Sequence, residues 1–138
     1  MTEYLLDTKA CIAIIKRNAA VQSRFDSAVA AHESLFVSSV AIFELAYGIA
    51  KSRHRMLSRD ALNEFLAGPV EVIDFDLEDA ETAGQIRGDL EAVGRPIGPY
   101  DILIAAQALR RELTLITSNV SEFRRIKGLR WEDWAKAS

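Results

Sequence analysis

Short, continuous apolar runs alternate along this chain with stretches whose apolar residues recur every three or four positions. Tyr4 to Leu6 is the first run, and it ends at Asp7. From Thr8 the segment TKACIAIIKRN turns helical, with Ile12 and Ile15 ahead of polar Lys16 and Arg17. Ala19 to Ala31 predicts a second helix on Val21, Phe25, Ala28 and Val29. Leu35 to Val37 is a second short strand, after which Ser38 and Ser39 stand as caps for a helix through VAIFELAYGIAKSR. Ala61 to Leu66 predicts a short helix stopped by Gly68 and Pro69, and Val70 to Phe75 a third strand. Leu77 to Val93 reads as a long charged helix with Ala80, Ala83, Ile86 and Leu90 inward and Gly94 as terminator. Leu113 to Thr117 is a fourth strand, and an apolar stub around Trp131 and Trp134 closes the pattern.

Strands written as unbroken apolar runs, separated by helices, belong to parallel sheets covered on both faces. The expected fold is therefore α/β: three layers, with helices on both sides of a mostly parallel central sheet of four to five strands. No repeat, linker or low-complexity tract divides the chain, so residues 1–138 are expected to form one domain. Ligands of such sheets collect beyond the carboxyl ends of the strands. Asp7 and Asn119 mark two of those ends.

The stretch RPIGPYDILIAAQA, Arg95 to Ala108, adds a stiff turn that delivers a single carboxylate to the start of an apolar helix. With Pro99 as first helical residue, Asp101 lies in the first turn, where free backbone N–H groups favour negative charge. Ala105 and Ala108 lie beside it in helical phase and leave room for a ligand. Glu44 is the other anomaly, the lone ionisable residue between Glu33 and Lys51. An isolated buried carboxylate takes up a proton or finds a cation. Each acid also has a local role open to it. Asp101 suits a helix start, Asp7 an N-cap, Glu44 an exposed face shared with Lys51, and Asn119 with Glu122 a capping box.

Position is what these residues share, since Asp7 and Asn119 end strands and Asp101 and Glu44 sit on helices able to lean over those ends. Carboxylates converging to about 4 Å repel by roughly 4 kcal/mol per pair at an effective dielectric near 20. A hard divalent cation removes that conflict. Oxygen donors without histidine or thiolate suit magnesium or manganese, and such ions characteristically act on phosphates. The two histidines, His32 and His54, lack metal-ligand spacing. There is no Gly-rich phosphate loop and no G-x-S-x-G elbow.

A formal charge of −3 excludes a general affinity for polyanions, so a nucleic-acid partner has to meet a local basic patch or a metal. Lys9, the run from Lys51 to Arg59, Arg87, Arg95, Arg124, Arg125 and Lys127 are the bases available for phosphate contacts. The two tryptophans, three tyrosines and six phenylalanines lie mainly in apolar stretches, which does not indicate a base-stacking platform. One cysteine, Cys11, fits a reducing compartment. No basic leader precedes a long apolar stretch and no run reaches membrane-spanning length, so a cytoplasmic protein without a membrane partner is expected.

The acids Asp7, Glu44 and Asp101, with VSSVAIFELAYG around the second and GPYDILIAA around the third, resemble a PIN domain. YLLDT at the start and ITSNVSEFRRIKGLRWEDW at the end are similar to the VapC toxins of bacterial toxin–antitoxin pairs. The resemblance spans essentially the whole chain. It implies a magnesium- or manganese-dependent endoribonuclease that cleaves structured RNA such as transfer RNA. It also implies a homodimer, inhibition by a VapB-like antitoxin whose extended tail covers the catalytic groove, and a higher hetero-oligomer with that antitoxin. By matching position Asp7 and Asp101 are direct metal ligands, and Glu44 binds metal directly or through water. Many PIN domains carry a fourth acid at the end of strand four, where this chain has Asn119. Either Glu122 supplies the missing charge or Asn119 orients water or phosphate. The competing expectations are a PIN-like scaffold without catalysis and a nuclease directed at DNA.

Overall fold

In a computed structural model that describes residues 2–136, the elements follow one another as β1 (Glu3–Leu6), α1 (Thr8–Ile15), α2 (Ala19–Ala30), β2 (Ser34–Ser38), α3 (Ser39–Ala50), α4 (Arg55–Leu66), β3 (Glu71–Ile73), α5 (Leu77–Ala92), α6 (Pro99–Arg110), β4 (Thr114–Ile116), α7 (Val120–Phe123) and β5 (Trp131–Glu132). The five strands form one sheet in the order β3-β2-β1-β4-β5, and every neighbouring pair is parallel. The chain winds outward from β1 to β2 and β3, then crosses to the other side of β1 for β4 and β5. The strand order therefore reverses between β1 and β4, and a crevice opens there at their carboxyl ends. The Asp7 amide donates to the Ile116 carbonyl at 3.1 Å, carrying the β1–β4 ladder one residue beyond the strand, to the crevice itself.

Leu5, Leu6, Val37, Leu115 and Ile116 are fully buried in the central strands, and Ile104, Ala105, Ala106 and Ala108 of α6 are sealed against them. The β strands at the rim are short, as unpaired edges favour; β5 replaces the apolar stub expected at Trp131, and Val72 of β3 is exposed.

Local chemistry explains where the helices start and stop. Asp7, Asn18 and Ser38 accept backbone N–H groups as the N-caps of α1, α2 and α3. Ser39, the other candidate cap, instead accepts the Phe75 amide at 3.0 Å and ties the chain after β3 to α3. Gly94 ends α5 at φ +69°, with the Arg95 amide returning to the Leu90 carbonyl at 2.8 Å and the Gly94 amide to Glu91.

Three further expectations change. Helix α4 begins at Arg55, not Ala61, because good helix formers such as Arg55, Met56 and Leu57 extend it although Met56 and Leu57 stay exposed and leave no periodic signal. The third strand shrinks to Glu71–Ile73. On α5, Ala80 faces solvent and Asp79 is buried in its place. Asp79 forms a capping box with Asp76, and its carboxylate accepts from Arg110 Nε at 2.8 Å, Arg111 Nη2 at 3.1 Å and Gln107 Nε2 at 3.0 Å. Burial pushes this carboxyl up, but Arg111, the Asp76 amide, Arg110 and Gln107 together hold it well below the usual carboxylate range. This network fastens α5 to α6, the helix that carries Asp101.

Candidate active site

The crevice between β1 and β4 collects acids from four parts of the chain. Asp7 closes β1 and is buried at 4% exposure; its Oδ1 accepts the Ala10 amide at 2.7 Å. It is thus both the N-cap of α1 and part of the crevice, so the two roles do not compete. Burial pushes its carboxyl up, the Thr117 hydroxyl, Ala10 amide and Lys9 ammonium pull it down, and Glu44 pushes it up again.

Glu44 hangs from α3 in a half-buried position, and its Oε1 accepts the Thr8 hydroxyl at 2.7 Å. Thr8 is the first residue of α1, next to Asp7, so one hydrogen bond joins the two helices that frame the crevice. Sequence reasoning passed over Thr8 and Thr117. Their signal was adjacency, since each stands at or next to a strand end beside an acid.

Asp101 lies in the first turn of α6, with Pro99 at the first helical position and Gly98 before it. Its carboxyl is pushed up to about 6 by burial and by the negative charges of Glu122, Asp7 and Glu44, with Asn119 opposing. Glu122, Asp7 and Glu44 therefore all act on Asp101 across the crevice, and Glu44 acts on Asp7 as well. Among the described residues no three His, Cys, Asp or Glu side chains stand close enough to enclose a metal ion as they are placed.

Asn119 and Glu122 do not form the expected capping box, because α7 has no side-chain cap. The Asn119 amide turns into the crevice, where Nδ2 donates to Asp101 Oδ2 at 3.3 Å and to Glu122 Oε2. Its backbone N–H is taken by Thr117 Oγ1 at 2.9 Å, the place Glu122 holds in a capping box, which leaves the Glu122 carboxylate to the crevice. A neutral donor thus sits between two carboxylates, where a cation would satisfy both. An all-oxygen donor set under mutual repulsion, with one carboxyl held up near 6, fits a hard divalent ion.

Other candidates sort themselves by contact. Arg87 pairs with Glu91 on the surface of α5, and Arg125 turns inward to donate from Nη1 to the Pro96 carbonyl at 2.9 Å, so neither is free for phosphate. Lys9, Arg95, Arg124 and Lys127 remain exposed. His32 and His54 are exposed and away from the crevice chemistry. Against expectation, three aromatics beside the acids are exposed: Phe43 by 53%, Tyr47 by 59% and Tyr100 by 44%. The Phe43 and Tyr100 rings meet at 5.5 Å, and the Lys51 ammonium lies 4.7 Å from the Tyr47 ring centre.

Fold and crevice together define a doubly wound parallel α/β protein with an acidic site at its topological switch point. The PIN domain family profile matches residues 4–129, and the chain belongs to that family. It is 41% identical over 137 residues to the tRNA(fMet)-specific endonuclease VapC of Shigella flexneri, covering 98% of this chain and 100% of that protein. The protein of the same description from Salmonella typhimurium is 38% identical, covering 97% and 99%. Among solved structures, VapBC2 from Rickettsia felis bound to a DNA fragment from their promoter superposes with a TM-score of 0.89 at 33% identity, over 96% of this chain and 99% of that one. No helix among the described residues is long and apolar enough to cross a membrane.

Proposed function

We propose that this chain is the toxin of a toxin–antitoxin pair: an endoribonuclease that hydrolyses phosphodiester bonds of structured RNA, transfer RNA included, and is inhibited by a VapB-like antitoxin. The observation that carries the reading is the gathering of Asp7, Glu44 and Glu122 around Asp101, all three within its electrostatic reach, in a chain similar throughout its length to endonucleases. Stability alone does not favour four acids in a half-buried crevice; phosphoryl chemistry with a divalent ion does. RNA, a second copy of the chain and the antitoxin are its proposed partners, and one PIN domain is its whole proposed organisation.

Magnesium or manganese, bound there, supplies Lewis-acid polarisation of the phosphodiester and a lowered pKa for the attacking water. Asp7 and Asp101 would hold the ion. Asp7 is fixed by its cap on α1, and Asp101 by the Gly98–Pro99 start of α6, so both carboxylates arrive preorganised. Glu44, oriented by Thr8, binds the ion or takes the proton from the water. The water would attack phosphorus, giving up its proton to Glu44 or solvent, as the bond to the leaving oxygen breaks and that oxygen takes a proton from solvent. Glu122 supplies the charge that Asn119 lacks, while Asn119 bridges Glu122 and Asp101 and orients water or phosphate. Lys9, exposed beside Asp7, supplies a phosphate contact. The experiment is RNA cleavage with magnesium, manganese or chelator, with Asp101→Asn in parallel; discrete metal-dependent fragments absent from the variant support the reading.

A further inference from the structure

Asp101 and Glu122 come from segments that no strand pairing joins, and one side chain bridges their backbones. Arg125 follows α7, and its own amide donates to the Glu122 carbonyl at 3.1 Å. Its guanidinium reaches across 29 positions of sequence to the Pro96 carbonyl at 2.9 Å. Pro96 lies in the turn that starts α6. That turn is anchored at its beginning by Gly94 and the Arg95 to Leu90 bond, and at its middle by Ile97, which is buried. Its end touches the site, because a Cβ built on Gly98 stands 3.4 Å from Asp101 Oδ2. A shift of the turn is therefore a shift of the Asp101 carboxylate.

Arg125 is half-buried, and this placement is not what stability alone selects, for its Nε is buried without an acceptor. An unpaired buried N–H is unfavourable, and the side chain makes one hydrogen bond to the turn in return. We propose that Arg125 is a positioning residue, which clamps the Pro96 turn to the chain carrying Asn119 and Glu122 and thereby sets the Asp101–Glu122 separation that a divalent cation requires. Metal sites commonly depend on such supporting contacts behind the ligands. This rests on the reading of Asp101 and Glu122 as one side of a cation site.

The test is calorimetric titration of manganese(II) into the full chain without RNA, for wild type, Arg125→Lys, Arg125→Gln, Arg125→Met and Asp101→Asn. Melting temperatures are recorded for each in chelator. Arg125→Met is expected to bind about tenfold more weakly, and Arg125→Lys, which keeps a donor for Pro96, to recover to within about twofold of wild type. Affinity is expected to follow donor capacity at position 125 and not the order of melting temperatures. If Arg125→Met does not fold, Gln against Lys makes the same comparison, because the Gln amide is a donor too short to reach Pro96: Gln weakened and Lys near wild type supports the clamp. Equal affinities in the folded variants, or a loss in Arg125→Lys as large as in Arg125→Gln, overturn it. Asp101→Asn separates the two readings. If it loses manganese while the Arg125 series stays unchanged, the clamp alone falls; if it binds like wild type, the cation site falls and the clamp with it.

Discussion

Asn119 holds the Asp101 carboxylate through its amide, Nδ2 to Oδ2 at 3.3 Å, and grips Glu122 with the same nitrogen. An amide at this position ties two acids together without adding a third charge. The protein without metal is thereby relieved of part of the repulsion that raises Asp101, whose carboxyl nonetheless stands at about 6.

Asn119→Asp tests that balance. A carboxylate in place of the amide removes the donor and adds charge to a crevice that already holds four acids, so the melting temperature in chelator falls. The added oxygen ligand raises manganese affinity, so the temperature recovers further on manganese addition than in wild type. Scanning calorimetry with and without manganese checks both signs; unchanged metal affinity contradicts them.

Asp101→Asn moves stability the other way. A carboxyl raised above its unfolded value disfavours the fold once pH exceeds that unfolded value, and the penalty is complete above about 6. Removing the charge at pH 7 is therefore stabilising in chelator, on the order of 1 kcal/mol after solvent screening, or a few degrees of melting temperature. Cleavage is lost at the same time. A lower melting temperature in the variant contradicts the proposed charge conflict.

Metal binding has to displace the proton that Asp101 keeps. Manganese affinity is accordingly expected to be level above pH 6 and to fall by about tenfold per pH unit below it, since ligation requires the ionised carboxylate. Titration calorimetry across that range reads the break. An affinity that does not change with pH through the break contradicts the Asp101 assignment.

Thr8→Val keeps the shape of the side chain and removes the hydroxyl that holds Glu44 Oε1 at 2.7 Å. Glu44 then loses its orientation, and kcat falls about tenfold, equivalent to about 1.4 kcal/mol. KM and the melting temperature change little. Steady-state cleavage of a defined RNA separates these quantities, and an unchanged kcat assigns Thr8 to helix packing alone.

Asp79 supports the site from outside it. Asp79→Ala strands Arg110 and Arg111 and is expected to destabilise the fold by about 3 kcal/mol in urea denaturation. Its carboxyl is held below the usual range, so its contribution is present above the unfolded value of about 3.9 and fades as pH falls toward the folded value. Wild type therefore loses stability below about pH 4 in a way that Asp79→Ala does not. Equal acid sensitivity of the two proteins contradicts the network's role.

The parallel sheet covered on both faces was legible because Leu5, Val37 and Leu115 lie in unbroken apolar runs, the pattern of such sheets, whereas the strand order was not. Asp7 and Asp101 were legible for a related reason, each being a lone acid where a strand or turn hands over to a helix. The neighbouring contacts were not. Asp79 and Ala80 differ by one step of helical phase, and an acid satisfied by two arginines 31 and 32 positions away leaves no local mark. Asn119 has the spacing of a cap, but Thr117 takes the backbone N–H and the amide goes to Asp101. Phe43 and Tyr100 lie in mainly apolar stretches that give no sign of a stacking surface, yet the helices turn both outward.

The central claim, that the crevice acids make this chain a metal-dependent ribonuclease, is tested most directly by incubating the antitoxin-free protein with total bacterial RNA. Magnesium, manganese and chelator are run side by side, with folded Asp101→Asn as the control for contaminating nuclease. Discrete fragments that need the metal and are absent from Asp101→Asn are the predicted result. Intact RNA from folded, manganese-loaded wild type, or the same fragments from Asp101→Asn, contradicts it.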